Sequence, residues 1–266
     1  MHRVKPFTTA LKRNPHSNPK LKPVPMFRSM SIPQVCVLVT CAMVCVQCGC
    51  QSRTNVTQES PSPSIHEQVL AVQHGDSREI RSNLAMDDAG LGQLAGLTEL
   101  EVLSLTRAEV SDEFAGTLSS LVGLRQIRLE NAAIGDRSAK AISKLRNLSS
   151  INLPNCNISD DGLEDWPSLH ELVLLRIGSP NLSDAALATV AKMKSLRFLH
   201  LVNVAMTDAG LKHLYSMEQL ESLYIDGGGV TEDGLSALLQ AMPKLHFHRD
   251  QQHLPTDPQA DNHGKH

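Results

Sequence analysis

Seven aliphatic residues, Met86, Val110, Ile134, Ile158, Leu182, Met206 and Val230, stand 24 residues apart without a slip. Three further columns keep the same step. They run through Leu100, Leu124, Leu148, Leu172, Leu196 and Leu220; through Leu103, Ile127, Ile151, Leu175, Leu199 and Leu223; and through Leu105, Leu129, Leu153, Ile177, Leu201 and Ile225. Four apolar columns held in register over most of a domain are the signature of stacked repeats, each too small to bury its own apolar edge. Within each repeat the apolar spacing changes. In VAMTDAGLKHLYSMEQLESLYI (204–225) the gaps between Leu211, Leu214, Met217, Leu220 and Leu223 are three residues, and the last, to Ile225, is two. A helical period hands over to a strand period within a dozen residues.

The columns spell Leu-x-x-Leu-x-Leu with another aliphatic residue five positions on, as in LEVLSLTRAEV (100–110) and LESLYIDGGGV (220–230). This resembles the leucine-rich repeat. The following SD, GD, SDDGL, SDAAL, TDAGL and TEDGL segments resemble the subclass with a TDAGL-like signature, related to the cysteine-containing repeats of F-box proteins. The resemblance covers roughly residues 80–250. It implies an α/β fold, a curved solenoid with a parallel sheet on its concave face and helices on its convex face. The family's Asn or Cys position falls on Ala108, Ala132, Cys156, Pro180, Val204 and Gly228, and only Cys156 fits. Turn bonding that an Asn side chain supplies in the family therefore passes to backbone groups or water.

Within a repeat, Leu103 and Leu105 are expected to point inward from a short strand, with Val102, Ser104 and Thr106 outward. Ser111, Ser159, Ser183, Thr207 and Thr231 occupy expected helix N-caps, each followed by an acid that complements the helix's positive end. Leu211, Leu214 and Met217 line the inner side of the ensuing helix. SIHEQVLAVQHGDSREI (64–80) is expected to cap the N-terminal end. MPKLHFHRD (242–250) is expected to cap the C-terminal end, gaining one residue and placing His248 in a core column.

The chain outside the repeats divides by charge and polarity. Residues 1–50 hold seven Lys and Arg and no acid, which leaves 18 basic against 28 acidic residues in 51–266, about −10. A body so acidic is a poor binder of phosphate backbones, so no nucleic-acid partner is expected. The basic leader precedes the apolar run VCVLVTCAMVCV (35–46), too short for a membrane span but laid out like an export signal, with Met26 or Met30 as alternative starts. VQCGCQS resembles a bacterial lipoprotein cleavage site, in which Cys50 follows the small Gly49 and would carry the lipid; Gln47 and Cys48 depart from the motif. Lipidation, ordinary cleavage and an uncleaved anchor all remain open, as does a leader in front of a cytoplasmic protein. The domain reading is a leader over 1–50, a flexible tether over 51–64, a repeat domain with caps over 65–250 and a disordered tail over 251–266. The expected location is the cell envelope, as a membrane-anchored lipoprotein or in the periplasm.

No convergent set of acids, bases and nucleophiles marks an enzyme, and no cofactor or metal is expected. The Asp residues of the SD and TD segments are spread one per repeat, which fits helix capping. Asp160-Asp161 sits at a helix start, Cys156 at a turn, and the histidines His246, His248, His253, His263 and His266 match no closed metal site. GGG (227–229) lacks the strand–loop–helix setting of a phosphate loop. The outward strand positions carry more information. Leu174, Arg176, Phe198, His200, Tyr224, Asp226 and Phe247 collect on the C-terminal half of the inner wall, in a chain with 3% aromatic residues. Aromatic anchors beside Arg and Asp have the composition of a protein-binding hot spot, unless the cap or tail folds over them. The expected function is binding of a protein or peptide on the concave face. A substrate-recognition adaptor like the F-box relatives and an enzyme inhibitor are the alternatives.

Overall fold

The computed structural model describes residues 63–250 and Gln252. The sheet strands are β1 (Glu79–Ser82), β3 (Val102–Leu105), β5 (Gln126–Leu129), β6 (Ser150–Leu153), β7 (Leu174–Ile177), β8 (Phe198–Val202), β9 (Ser222–Asp226) and β10 (His246–Arg249). They pair in chain order into one parallel eight-stranded sheet. Two short strands, β2 (Met86–Asp87) and β4 (Ala108–Glu109), pair with each other. Helix α1 (Ile65–His74) precedes the sheet. The returns between strands carry α2 (Asp88–Leu91), α3 (Ala115–Ser120), α4 (Asp136–Ile142), α5 (Asp184–Val190), α6 (Asp208–Leu214) and α7 (Glu232–Ala241).

Register in the sheet is the 24-residue step made physical: Leu103 pairs with Ile127, Ile151 with Leu175, Leu175 with Leu199, and Leu199 with Leu223. Each of these side chains is buried, as are Leu105, Leu129, Leu153, Ile177, Leu201 and Ile225. A one-residue slip would turn every one of them to water, so burial of a single face fixes the register. Strands stack at roughly 4.8 Å, whereas α-helices are about 10 Å across. The helical side must fan out, which makes the sheet side the inner wall. The fourth return uses only two 3₁₀ turns, Asp161–Leu163 and Trp166–Ser168. Pro167 follows Trp166 there and can donate no helical hydrogen bond. Trp166 is fully buried, and its indole N–H donates to the Ala139 carbonyl at 3.1 Å.

The acid after each cap position does more than complement a helix end. Asp136 accepts from the Ser159 N–H at 2.8 Å and from its hydroxyl at 2.7 Å. Asp160 holds Ser183 in the same way, Asp184 holds Thr207, and Asp208 holds Thr231. Asp88 does so for Ser111, and Asp112, facing Gly135, takes the N–H groups of Gly135 and Ser138. A ladder of carboxylates thus staples each repeat to the next along the helical side. Glycine two positions after the acid leaves room for a close approach in three repeats, whereas Ser138 and Ala186 hold the same position in two others. A Cβ at Gly162, Gly210 or Gly234 would lie 2.4, 2.2 or 2.1 Å from the carboxylate of Asp136, Asp184 or Asp208. Hydroxyl capping is seen at Ser111, Ser183, Thr207 and Thr231, each of which also donates to the preceding Asp; the Ser159 hydroxyl donates to Asp136 but caps no N–H, and the following turn begins from Asp160. Met217 lies beyond the end of α6, in a turn closed by its N–H on the Leu214 carbonyl, and is buried there.

At the family's Asn position the Ala108 N–H donates to the Glu130 carbonyl at 3.0 Å, and the N–H of Cys156, the residue that fits the family, to the Gly178 carbonyl at 2.9 Å. One residue earlier, Asn131 and Asn203 adopt left-handed φ values of 59° and 51°, with Gly227 at 72° in the next repeat. Asn tolerates that region because its short amide bonds locally.

The N-terminal edge of the sheet is closed by α1. Ser64 and Glu67 form a reciprocal capping box at its start, and Gly75 ends it with φ 81°. The Gln68 side chain then imitates a strand: its amide oxygen accepts from the Arg81 N–H at 2.8 Å, and its amide nitrogen donates to the Arg81 carbonyl at 2.9 Å. At the other end Arg249 exchanges two backbone bonds of 2.8 Å with Gln252. Both edges that would otherwise template another chain are thereby partly occupied.

The C-terminal unit departs from the expected register. Helix α7 is longer than the other sheet-connecting helices, and Leu245 is displaced by one residue relative to the 24-residue step, but the strand is not. Phe247 pairs with Leu223 in the core column and is completely buried, while His248 pairs with Tyr224 on the inner wall. The shift is cancelled at the entry to β10, where Leu245 stands two residues before Phe247 rather than the three that separate Leu220 from Leu223, because the sheet ladder allows no slip without exposing Phe247.

Candidate binding surface

Three rows of side chains face outward from the sheet. One runs Val102, Gln126, Ser150, Leu174, Phe198, Ser222 and His246; the next Arg81, Ser104, Arg128, Asn152, Arg176, His200, Tyr224 and His248. The third carries Glu130 and Asp226 near the strand ends. A depression of about 840 Å³ lies over β6–β10 and is lined by Leu174, Arg176, Phe198, His200 and Tyr224, with Asn152, Glu221 and His246 at its margins. Five of the seven residues expected on this wall therefore share one concavity.

Leu174 and Phe198 pair directly across β7 and β8, and each keeps 38% of its surface exposed. The other large exposed apolar residues among the described residues, Leu70, Leu84 and Val122, lie off the sheet. His200 Nε2 lies 2.8 Å from Asp226 Oδ2, which ties these two expected residues together beside the depression. Tyr224 stacks on His248 with ring centroids 4.4 Å apart and planes 6° from parallel, and His248 Nε2 lies 2.8 Å from His246 Nε2. Arg197 sits 5.9 Å from the Phe198 ring centroid and pairs with Glu221. Arg176 approaches only the Asn152 amide oxygen, at 3.5 Å, and its Nε is buried without a hydrogen-bond partner.

Phe247 is the correction. It was expected on the wall, but it belongs to the core beneath it, and His246 occupies the wall position instead. Sequence could have found His246 by carrying the unbroken 24-residue step one repeat further from Ser222. Asn152 and Glu221 were legible as an outward strand residue and its flank, but nothing in sequence showed that they bound a common depression. Cys50 lies outside the described residues.

Other groups offer little chemistry. Cys156 is buried, and desolvation pushes its thiol up to about 11, which leaves scarcely any thiolate at neutral pH. Among the described residues no group of three or more His, Cys, Asp and Glu side chains is placed to hold a metal ion. None of their helices is long and apolar enough to cross a membrane.

The repeat register, the parallel sheet and the helical returns give this chain the fold of a leucine-rich repeat solenoid, an α/β architecture. No protein-family model matches the sequence, and no curated protein does. Among solved structures, it is similar to internalin C2 of Listeria monocytogenes, at 20% identity over 59% of this chain and 64% of that one, with a TM-score of 0.47. It is also similar to a second internalin of that organism, inlF, at 18% identity over 65% and 59%, with a TM-score of 0.41. The match spans less than two thirds of either internalin chain.

Proposed function

We propose that this protein is a non-enzymatic interaction module that binds a protein or peptide on its concave sheet face, over the C-terminal repeats. The observation that supports the reading is the paired exposure of Leu174 and Phe198 in a depression that also holds Arg176, His200 and Tyr224. Large apolar side chains cost free energy in water, and a concave cluster with aromatic and Arg neighbours is where binding energy concentrates. Most of the other wall positions are polar, which suits a rim. Export through the leader, tethering through residues 51–64 and lipidation at Cys50 belong to the same proposal, as do the domain limits at 50, 64 and 250.

The test is affinity capture from envelope and cytosolic fractions with the wild-type chain and a Phe198→Ser/Tyr224→Ser variant whose circular dichroism matches it. A protein held by the first and lost with the second places the site on the wall. Equal capture by both, or by neither, refutes it. Membrane tethering is read separately: recovery in a detergent phase should vanish with Cys50→Ser, and unchanged recovery would sink lipidation.

A further inference from the structure

Most arginines among the described residues have a carboxylate within salt-bridge distance. Arg78 and Arg125 share Glu101, Arg81 has Glu79, Arg128 has Glu130, Arg137 has Glu113, Arg197 has Glu221, and Arg249 has Glu232. Arg107, Arg146 and Arg176 have none. Arg107 and Arg146 are exposed, so water solvates them. Arg176 is half-buried in the depression, with a buried Nε that donates to nothing and a single long contact to an amide oxygen. A partly desolvated guanidinium without a counter-charge is costly, and its planar fork matches a carboxylate.

The neighbouring acid does not fill that role. Asp226 is one strand beyond His200 and bonds to that imidazole. Beside Arg176, on β7 and β8, lie the exposed Leu174 and Phe198. The trough they share extends from Asn152 on β6 to His246 on β10, which is about four strand spacings or roughly 19 Å, the length of about six extended residues.

We infer that the bound partner presents an extended peptide segment in which a carboxylate stands beside a large apolar side chain, the carboxylate paired with Arg176 and the apolar group seated on Leu174 and Phe198. This rests on the sheet-face binding reading above and names the chemistry recognised there. A phosphorylated segment fits less well. Arg128 and Arg197 are already paired with Glu130 and Glu221, and the one guanidinium left in the trough, Arg176, cannot offset a dianion.

The probe is a displayed library of random dodecapeptides, selected on the full chain as wild type, Arg176→Gln, Arg176→Lys and Phe198→Ser, with circular dichroism and thermal melting confirming each fold. Wild-type binders should be enriched in Asp or Glu within two residues of Leu, Ile, Phe or Trp. Their consensus peptide should bind Arg176→Gln about tenfold or more weakly, and Arg176→Lys in between. Replacing its acid by the amide should cost wild type a similar factor and cost Arg176→Gln little further. Binders without acid enrichment, or binding unchanged by Arg176→Gln, overturn the inference. If such binders are still lost with Phe198→Ser, the sheet-face reading survives alone. A pool indifferent to both substitutions, or no binder above background, removes both.

Discussion

Phe247 and Phe198 are two aromatic side chains from the same region, and they should respond oppositely to truncation. Phe247 is completely buried and pairs with Leu223, so Phe247→Ala removes a core ring. Such truncations cost about 3–5 kcal/mol, and a site flanked by a sheet strand on one side only can relax, which favours the lower end. At roughly 2–4 °C per kcal/mol for a domain of about 190 residues, the midpoint would fall by about 6–12 °C if the whole domain melted together. Solenoids couple only nearest neighbours, so the loss should be concentrated in the last unit. Amide exchange should accelerate first at His246 and Asp250, whose N–H groups bond to Glu221 and Ile225, and in α7. Partner affinity should follow only through that loosening. Phe198→Ala removes a ring that is 38% exposed and should cost about 1 kcal/mol or less in stability while abolishing capture. Calorimetry with hydrogen exchange decides the matter. A Phe247→Ala protein with wild-type melting and wild-type exchange in β10 would refute its core placement and return the residue to the wall.

Gly210→Val should push the Asp184 carboxylate off Thr207 and cost about 1–3 kcal/mol in urea denaturation, whereas the native Ala186 shows that a single methyl is accommodated in a neighbouring repeat. Gln68→Ala should cost about 1–2 kcal/mol and uncover the Arg81 backbone at the sheet edge, seen as faster exchange at Arg81 and a raised tendency to associate in light scattering. Acid should loosen the carboxylate ladder. At Asp112 burial opposes ionisation, but the N–H groups of Gly135, Ser138 and Arg137 outweigh it; at Asp208 the Thr231 hydroxyl and N–H dominate, so both carboxyls titrate below their usual range. Their stabilisation is complete above the unfolded-state value of about 3.9 and fades as pH drops through the lower folded values. Melting temperature should therefore hold steady above about pH 5 and fall below pH 4, with a shallower fall in Asp112→Asn/Asp208→Asn; an identical acid profile in that variant would count against the ladder.

The repeat architecture was legible because it rests on side-chain chemistry repeated at fixed intervals. Any residue 24 positions from Leu103 must meet the same neighbours, so four aliphatic columns dictate which face of each strand is buried. The caps were legible for the same reason, as was the inner-wall location of Leu174, Arg176, Phe198, His200, Tyr224 and Asp226. Sequence also showed the acid column, but local reasoning gave it a helix-end role. Its bonds to Ser111, Ser159, Ser183, Thr207 and Thr231 span two repeats and exist only once the units stack.

What the tertiary structure alone decided follows from where the period breaks and from how separate strands come together. Between Leu220 and Leu245 the spacing is 25, and sequence offered no reason to prefer carrying that shift into β10 over cancelling it. The ladder cancels it, since parallel pairing to β9 and burial of Phe247 outweigh the irregular turn between. Nor does sequence reveal that Arg176, half-buried, is left without a counter-charge while most arginines of the domain find one. Ion pairing depends on distances across strands and loops, and a residue's charge is local in the chain, whereas its compensation is not.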